Sequence, residues 1–144
     1  MKMTGNGGPG RVELCSNDRL IVVLKEYKYG FELDAVPYRV KRTGFFAASY
    51  RLLRNQDDLV LTSKQAPFLA RYTVSHADGQ WIFKTVSIGQ SLFILLRGAA
   101  KVGHIAPGRW LSFYKKIDID LPDELSLPAQ VFLVWLALRS WREY

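Results

Sequence analysis

From Val131 to Leu138 the chain reads Val-Phe-Leu-Val-Trp-Leu-Ala-Leu, an unbroken run of eight apolar residues. On a helix of 3.6 residues per turn this run leaves no polar face, so protein must cover every side of it. The preceding chain offers one kind of cover. It reads as short strands, rich in β-branched and aromatic residues between turn signals, and shows no helical period before the C-terminus. The economical fold is mainly β, a closed antiparallel β-barrel wrapped around a buried hydrophobic C-terminal α-helix. Val131, Phe132, Leu133, Val134, Trp135, Leu136 and Leu138 form the expected core of that helix.

The ends of the helix are marked in the sequence. Pro122 breaks the preceding extended segment, Asp123 and Glu124 bring negative charge to the positive helix end, Ser126 can cap, and Pro128 suits the first turn. Arg139 and Arg142 return the chain to water at the negative end. These signals predict a helix over about 127–141.

Ten strand segments are expected before it: Arg19–Tyr27, Phe31–Leu33, Tyr38–Lys41, Phe45–Leu53, Leu59–Ser63, Leu69–Ser75, Trp81–Thr85, Ser91–Arg97, Lys101–Ile105 and Arg109–Ile117. Asp78-Gly79 supplies a positive-φ hairpin turn, and Gly98 and Pro107-Gly108 separate the last three segments. The opening, Met1–Gly10, is glycine-rich and lacks the apolar core of a signal peptide. Residues 1–17 are therefore expected as a flexible tail, and 18–144 as a single domain. A length of 144 residues suits one such domain.

Cys15 is the single cysteine, which excludes an internal disulfide and points to a reducing, cytoplasmic compartment. The longest apolar runs are far short of the ~20 residues that a spanning helix needs. Charge is unevenly placed. Between Arg39 and Lys116 thirteen Lys or Arg stand against three acids, a segment charge of +10, while the rest of the chain carries −3. Such a strand-rich basic segment attracts phosphate-bearing partners, either anionic lipid headgroups or nucleic acid. By local density the candidate anion-binding cations are Lys41, Arg42, Arg54, Lys115 and Lys116.

Several stretches carry a resemblance. They are Tyr50-Arg-Leu-Leu with the following Asp58-Leu-Val-Leu, Tyr72-Thr-Val-Ser-His-Ala-Asp-Gly-Gln-Trp-Ile-Phe, Lys101-Val-Gly-His-Ile, and Leu121-Pro-Asp-Glu-Leu-Ser-Leu-Pro-Ala-Gln-Val-Phe-Leu-Val-Trp-Leu. Together they resemble the tubby-like superfamily, which includes the LURP-one-related proteins and the phospholipid scramblases. The resemblance covers most of the chain after about Asp18. It implies a barrel around a C-terminal helix, and a module that associates with membranes or phosphoinositides or acts as an adaptor. No lipid-binding residue carries over by motif. Scramblase-like members have an acidic, calcium-proposed segment before the helix, and Asp118, Asp120 and Asp123 fall in the comparable place here. Those three lack the ligand spacing and glycine of an EF-hand loop, so charge near a helix N-terminus is the simpler reading.

No catalytic motif is present. His76 and His104 fall on separate strands with no third ligand nearby in sequence, Cys15 has no adjacent base, and no nucleophile elbow surrounds any serine. The chain is accordingly expected to be non-enzymatic and to need no cofactor or metal. Its expected role is a binding or adaptor module at anionic phospholipid headgroups or a protein partner, peripheral at a membrane. A nucleic-acid-binding barrel is the alternative, suggested by Tyr38-Arg-Val-Lys-Arg, Tyr50-Arg-Leu-Leu-Arg and Tyr114-Lys-Lys, and scramblase-like lipid handling is a second.

Overall fold

The computed structural model describes residues 1–8, 10–25, 27–44, 47–67, 69–77, 79–86, 92–111 and 114–143, without the side chains of residues 109–111, 114, 115, 142 and 143. The described residues form strands β1 (Lys2–Gly8), β2 (Arg11–Ser16), β3 (Arg19–Lys25), β4 (Gly30–Leu33), β5 (Val36–Thr43) and β6 (Ser49–Arg54). They continue with β7 (Asp58–Gln65), β8 (Arg71–His76), β9 (Gly79–Thr85), β10 (Phe93–Arg97), β11 (Ala100–Leu111), β12 (Tyr114–Asp120) and helix α1 (Leu127–Glu143).

All the strands belong to one antiparallel sheet in the order β3-β2-β1-β12-β11-β10-β9-β8-β7-β6-β5-β4. Consecutive strands pair, except β3 with β4, and β1 also pairs with β12. The edge strands β3 and β4 lie side by side without a ladder between them, so the barrel is nearly closed. Its width follows from its contents. A barrel of about eight strands is filled by its own side chains, whereas a helix with side chains is about 10–12 Å across and demands a wider sleeve.

Side chains alternate across this wall with the period of two that strands impose. Leu14, Val40, Leu52, Val74, Phe83 and Ile119 are among those pointing inward onto α1, where Ala129 to Ala137 is buried without interruption. Phe132 and Trp135 stack at 5.9 Å, and Tyr50 meets both edge-on, at 6.4 and 5.5 Å. Polar contacts fix the depth of the helix. Ser126 Oγ accepts the Ala129 N–H at 3.4 Å, Trp135 Nε1 donates to the Lys28 carbonyl at 3.1 Å, and the Tyr72 and Ser140 hydroxyls meet at 3.1 Å. The expected mainly β barrel around a buried C-terminal helix is therefore what forms.

Two expectations need correction. The opening is not a flexible tail: β1 and β2 lie in the sheet, β1 between β12 and β2. Its glycines, read from sequence as a sign of mobility, allow close approach. A Cβ on Gly7 would lie 2.6 Å from the Arg11 carbonyl oxygen and 2.8 Å from a Val12 methyl, and one on Gly5 would crowd Ile117 and Leu14 at 3.1 and 3.2 Å. Pro107-Gly108 likewise does not separate two strands. The chain runs through it as β11, with a bulge between Pro107 and Trp110 that accommodates the missing proline N–H. Gly108 is needed there because a Cβ would lie 2.8 Å from the Lys116 carbonyl. Because the strand break falls later than expected, Arg109–Ile117 is not one strand: 109–111 end β11 and Tyr114 begins β12, which runs back antiparallel to it. Glu26, Phe45, Phe46, Asp78, Ser91, Ser112 and Phe113, placed from sequence in strands or a turn, lie outside the described residues.

Replacing Gly7 with valine should therefore lower stability by about 2 kcal/mol or more, as backbone crowding in a packed strand does. Urea unfolding followed by tryptophan fluorescence checks it. Stability equal to that of the wild type would mean that β1 does not pack as described.

Candidate functional site

Because the strands form a meander, their connections alternate between the two mouths of the barrel. One mouth holds the short turns. Positive φ values at Asn17 and Asp18 (51° and 61°), Asp34 and Ala35 (48° and 62°), Asn55 and Gln56 (50° and 77°), Ala77 (51°) and Gly98 (60°) mark hairpin turns that match the twist of the flanking strands. We call this mouth the turn rim. The N-terminus of α1 starts here. The opposite mouth, the loop rim, carries the longer connections, whose described residues include 27–29, 44, 47–48, 66–67 and 69–70, and α1 ends there.

The turn rim mixes charges of both signs: Asp18, Asp34, Asp57, Asp58, Asp123 and Glu124 lie there with Lys2, Arg19, Arg54, Arg97 and Lys101. Toward the loop rim the outer face of β5–β9 carries Lys41, Arg51, Lys64, Arg71 and Lys84, all exposed except the half-buried Lys84. Ladder register places them in one oblique band. Lys41 lies directly opposite Arg51, Arg71 directly opposite Lys84, and Lys64 is bridged to these pairs through Ser49 on β6 and Thr73 on β8. Arg39 extends the band along β5, and Asp58, at the turn rim, is the one acid in the described residues of these five strands. Among the described residues, none of these six cations forms an ion pair. Like charges directly opposite one another on an antiparallel pair are unfavourable. Sheet stability alone disfavours two such pairs in one band.

The sequence-predicted cations divide accordingly. Lys41 lies in the band, whereas Arg42, next to it on β5, has the opposite parity and stands opposite the buried Tyr50, exposed at the loop-rim end of the strand. Arg54 is not with them, lying at the other end of β6 opposite Asp58. Lys116 lies on β12 opposite Asn6, on a distant part of the wall, and the side chain of Lys115 is outside the description. Sequence density missed Arg51, Lys64, Arg71 and Lys84. Their signal was parity, because each alternates with inward-facing positions along its strand, and the hairpin registers align them.

Other candidate residues are dispersed. His104 faces outward on β11 opposite Ile94 and Asp120, whereas His76 is on the inward face of β8 opposite Leu61. The two histidines thus lie on different sides of the wall. Asp118 and Asp120 face outward on β12 opposite Thr4 and Lys2, and Asp123 is exposed beyond that strand. Cys15 is half-buried on β2. Among the described residues, no three His, Cys, Asp or Glu side chains converge as metal ligands would, and no helix is long and apolar enough to cross a membrane. No known family profile matches this chain, and no curated protein or solved structure is detectably similar to it.

At the turn rim His76 Nε2 lies 3.1 Å from Ser126 Oγ, the oxygen that caps α1, and Arg97 pairs with Glu124 at 2.8 Å while lying 4.8 Å from the centre of the Trp81 ring. Burial pushes the His76 pKa below its ordinary 6.5. The unfolded chain then binds this proton at a higher pH than the folded one does. Stability from this group is complete above about 6.5 and declines as pH falls toward the lowered folded value. His76→Gln should flatten the stability profile between about pH 7 and 5. Urea midpoints measured across that range test this, and an unchanged acid slope in the variant would contradict it.

Proposed function

We propose that this protein is a non-enzymatic, tubby-like binding module that attaches peripherally to anionic phospholipid headgroups through the basic band of β5–β9. One observation carries the reading: Lys41, Arg51, Lys64, Arg71 and Lys84 converge near one rim with no acid among them. A barrel around a C-terminal helix is the architecture that the tubby-like resemblance implies, and it supports that relationship. The filled lumen supports it too, because burial of the helix leaves recognition to the exterior. Its place of action would be the cytoplasmic face of a membrane, where anionic lipids are concentrated.

The mechanism is electrostatic. Each basic residue held near an anionic surface contributes about 1 kcal/mol, and the attraction fades beyond roughly 8 Å at physiological salt. Five cations on one wall therefore suffice for reversible, salt-sensitive attachment without a dedicated headgroup pocket. The position of the band near one rim also orients the molecule, since that rim is drawn toward the surface.

Full-length protein should sediment with vesicles of phosphatidylcholine containing phosphatidylserine at low salt, but not with phosphatidylcholine alone. Lys64→Glu combined with Arg71→Glu should weaken binding at least about tenfold, while Arg54→Glu at the turn rim changes it little. Equal sedimentation with both vesicle types would overturn the reading. So would a failure to bind vesicles alongside a steeply salt-dependent complex with single-stranded oligonucleotide, which would favour nucleic acid.

A further inference from the structure

The loop rim carries more than charge. Tyr27 in the β3–β4 connection is 76% exposed, Leu69 in the β7–β8 connection 49%, and Val86 after β9 47%. Scattered exposed apolar side chains are ordinary, and the turn rim also shows Leu20 and Leu59. The difference lies in their neighbours. Leu20 follows Asp18-Arg19 and Leu59 follows Asp57-Asp58, whereas Tyr27 follows Lys25-Glu26 and precedes Lys28, Leu69 stands two residues before Arg71, and Val86 two residues after Lys84. Apolar tips with an excess of cations beside them match the boundary of an anionic bilayer, where acyl chains lie just beneath phosphates.

The support behind these tips is rigid. The guanidinium of Arg139 lies over the Tyr29 ring at 4.5 Å and the Trp135 ring at 5.5 Å, and it donates a hydrogen bond to the Tyr29 hydroxyl. Tyr29 also meets Trp135 edge-on at 5.5 Å, which ties the β3–β4 connection to the end of the buried helix. Tyr29 is thus held against the barrel, while Tyr27 projects from a fixed base. Farther round the rim, Ala66 donates its N–H to the Arg71 carbonyl at 2.8 Å and Leu69 donates to the Ala66 carbonyl at 3.3 Å.

From this placement we infer that the barrel docks on an anionic bilayer with its loop rim downward, and that Tyr27, Leu69 and Val86 pass below the headgroup phosphates. Lys25, Lys28, Lys64, Arg71 and Lys84 remain at phosphate level. This inference rests on the proposed attachment to anionic lipid and adds its orientation and its apolar component. Attachment then has two parts: a long-range attraction that salt screens, and a short-range burial of three side chains that salt does not weaken.

The test uses full-length protein on a monolayer of phosphatidylcholine with phosphatidylserine, together with vesicles of the same composition. The wild type should raise the monolayer surface pressure. The combined variant Tyr27→Ser, Leu69→Ser, Val86→Ser should raise it little and lose about tenfold in vesicle binding at high salt, yet still be captured by the vesicles at low salt. Leu20→Ser with Leu59→Ser, on the turn rim, should behave as the wild type. All of these side chains are exposed, and urea unfolding confirms that each variant is folded; the single variant Leu69→Ser serves if the triple one is not. A triple variant matching the wild type in pressure rise and in high-salt binding would overturn insertion and leave electrostatic attachment standing. A wild type that ignores anionic vesicles at low salt would overturn both.

Discussion

A helix whose middle turns carry no polar side chain must be enclosed on every side, and here the enclosing wall comes from the same chain. That constraint sets the number of strands, because the sleeve has to hold a full helix and not merely its own side chains. It also accounts for the ends of the sequence being neighbours: β1 pairs with β12, the strand that leads into α1. Closing the wall requires backbones to approach tightly at Gly5, Gly7 and Gly108, where a methyl group would meet a packed side chain or a carbonyl oxygen. The large hydrophobic stabilisation of the helix and the small size of these glycines are two parts of one requirement.

A filled lumen has a functional consequence. The wall's inward residues are committed to packing, so the outward positions and the two mouths are what remain for recognition. The meander then sorts these mouths into unlike surfaces. Short positive-φ turns favour Asn, Asp and Gly, which places Asp18 and Asp34 at the turn rim for reasons of backbone geometry. The loop rim, with positive φ at Gly10 and Gly44, carries the basic band and exposed apolar tips.

Much of the fold was legible because its signals are local. Eight apolar residues in sequence need no tertiary knowledge to be recognised as a buried helix, and Ser126 with Pro128 marked its start at the residue where the cap forms. The N-terminal strands were misread because glycine has two opposite meanings, chain freedom and close approach, and only the neighbouring strand decides between them. Pro107-Gly108 misled in the same way, since a bulge tolerates the dipeptide that usually ends a strand. The basic site was partly hidden for a different reason. Lys41 and Arg42 stand out by density, but Arg51, Lys64, Arg71 and Lys84 are single charges far apart in sequence that only the ladder registers bring into one band.

The enclosed helix is tested most directly by native-state amide hydrogen exchange across Val131–Ala137. If the barrel surrounds it, these amides open only when the whole domain unfolds, with the free energy and denaturant dependence of the slowest strand amides. Exchange of this helix through local opening, well below the global unfolding free energy and nearly independent of denaturant, would show that the wall does not hold it and would contradict the account.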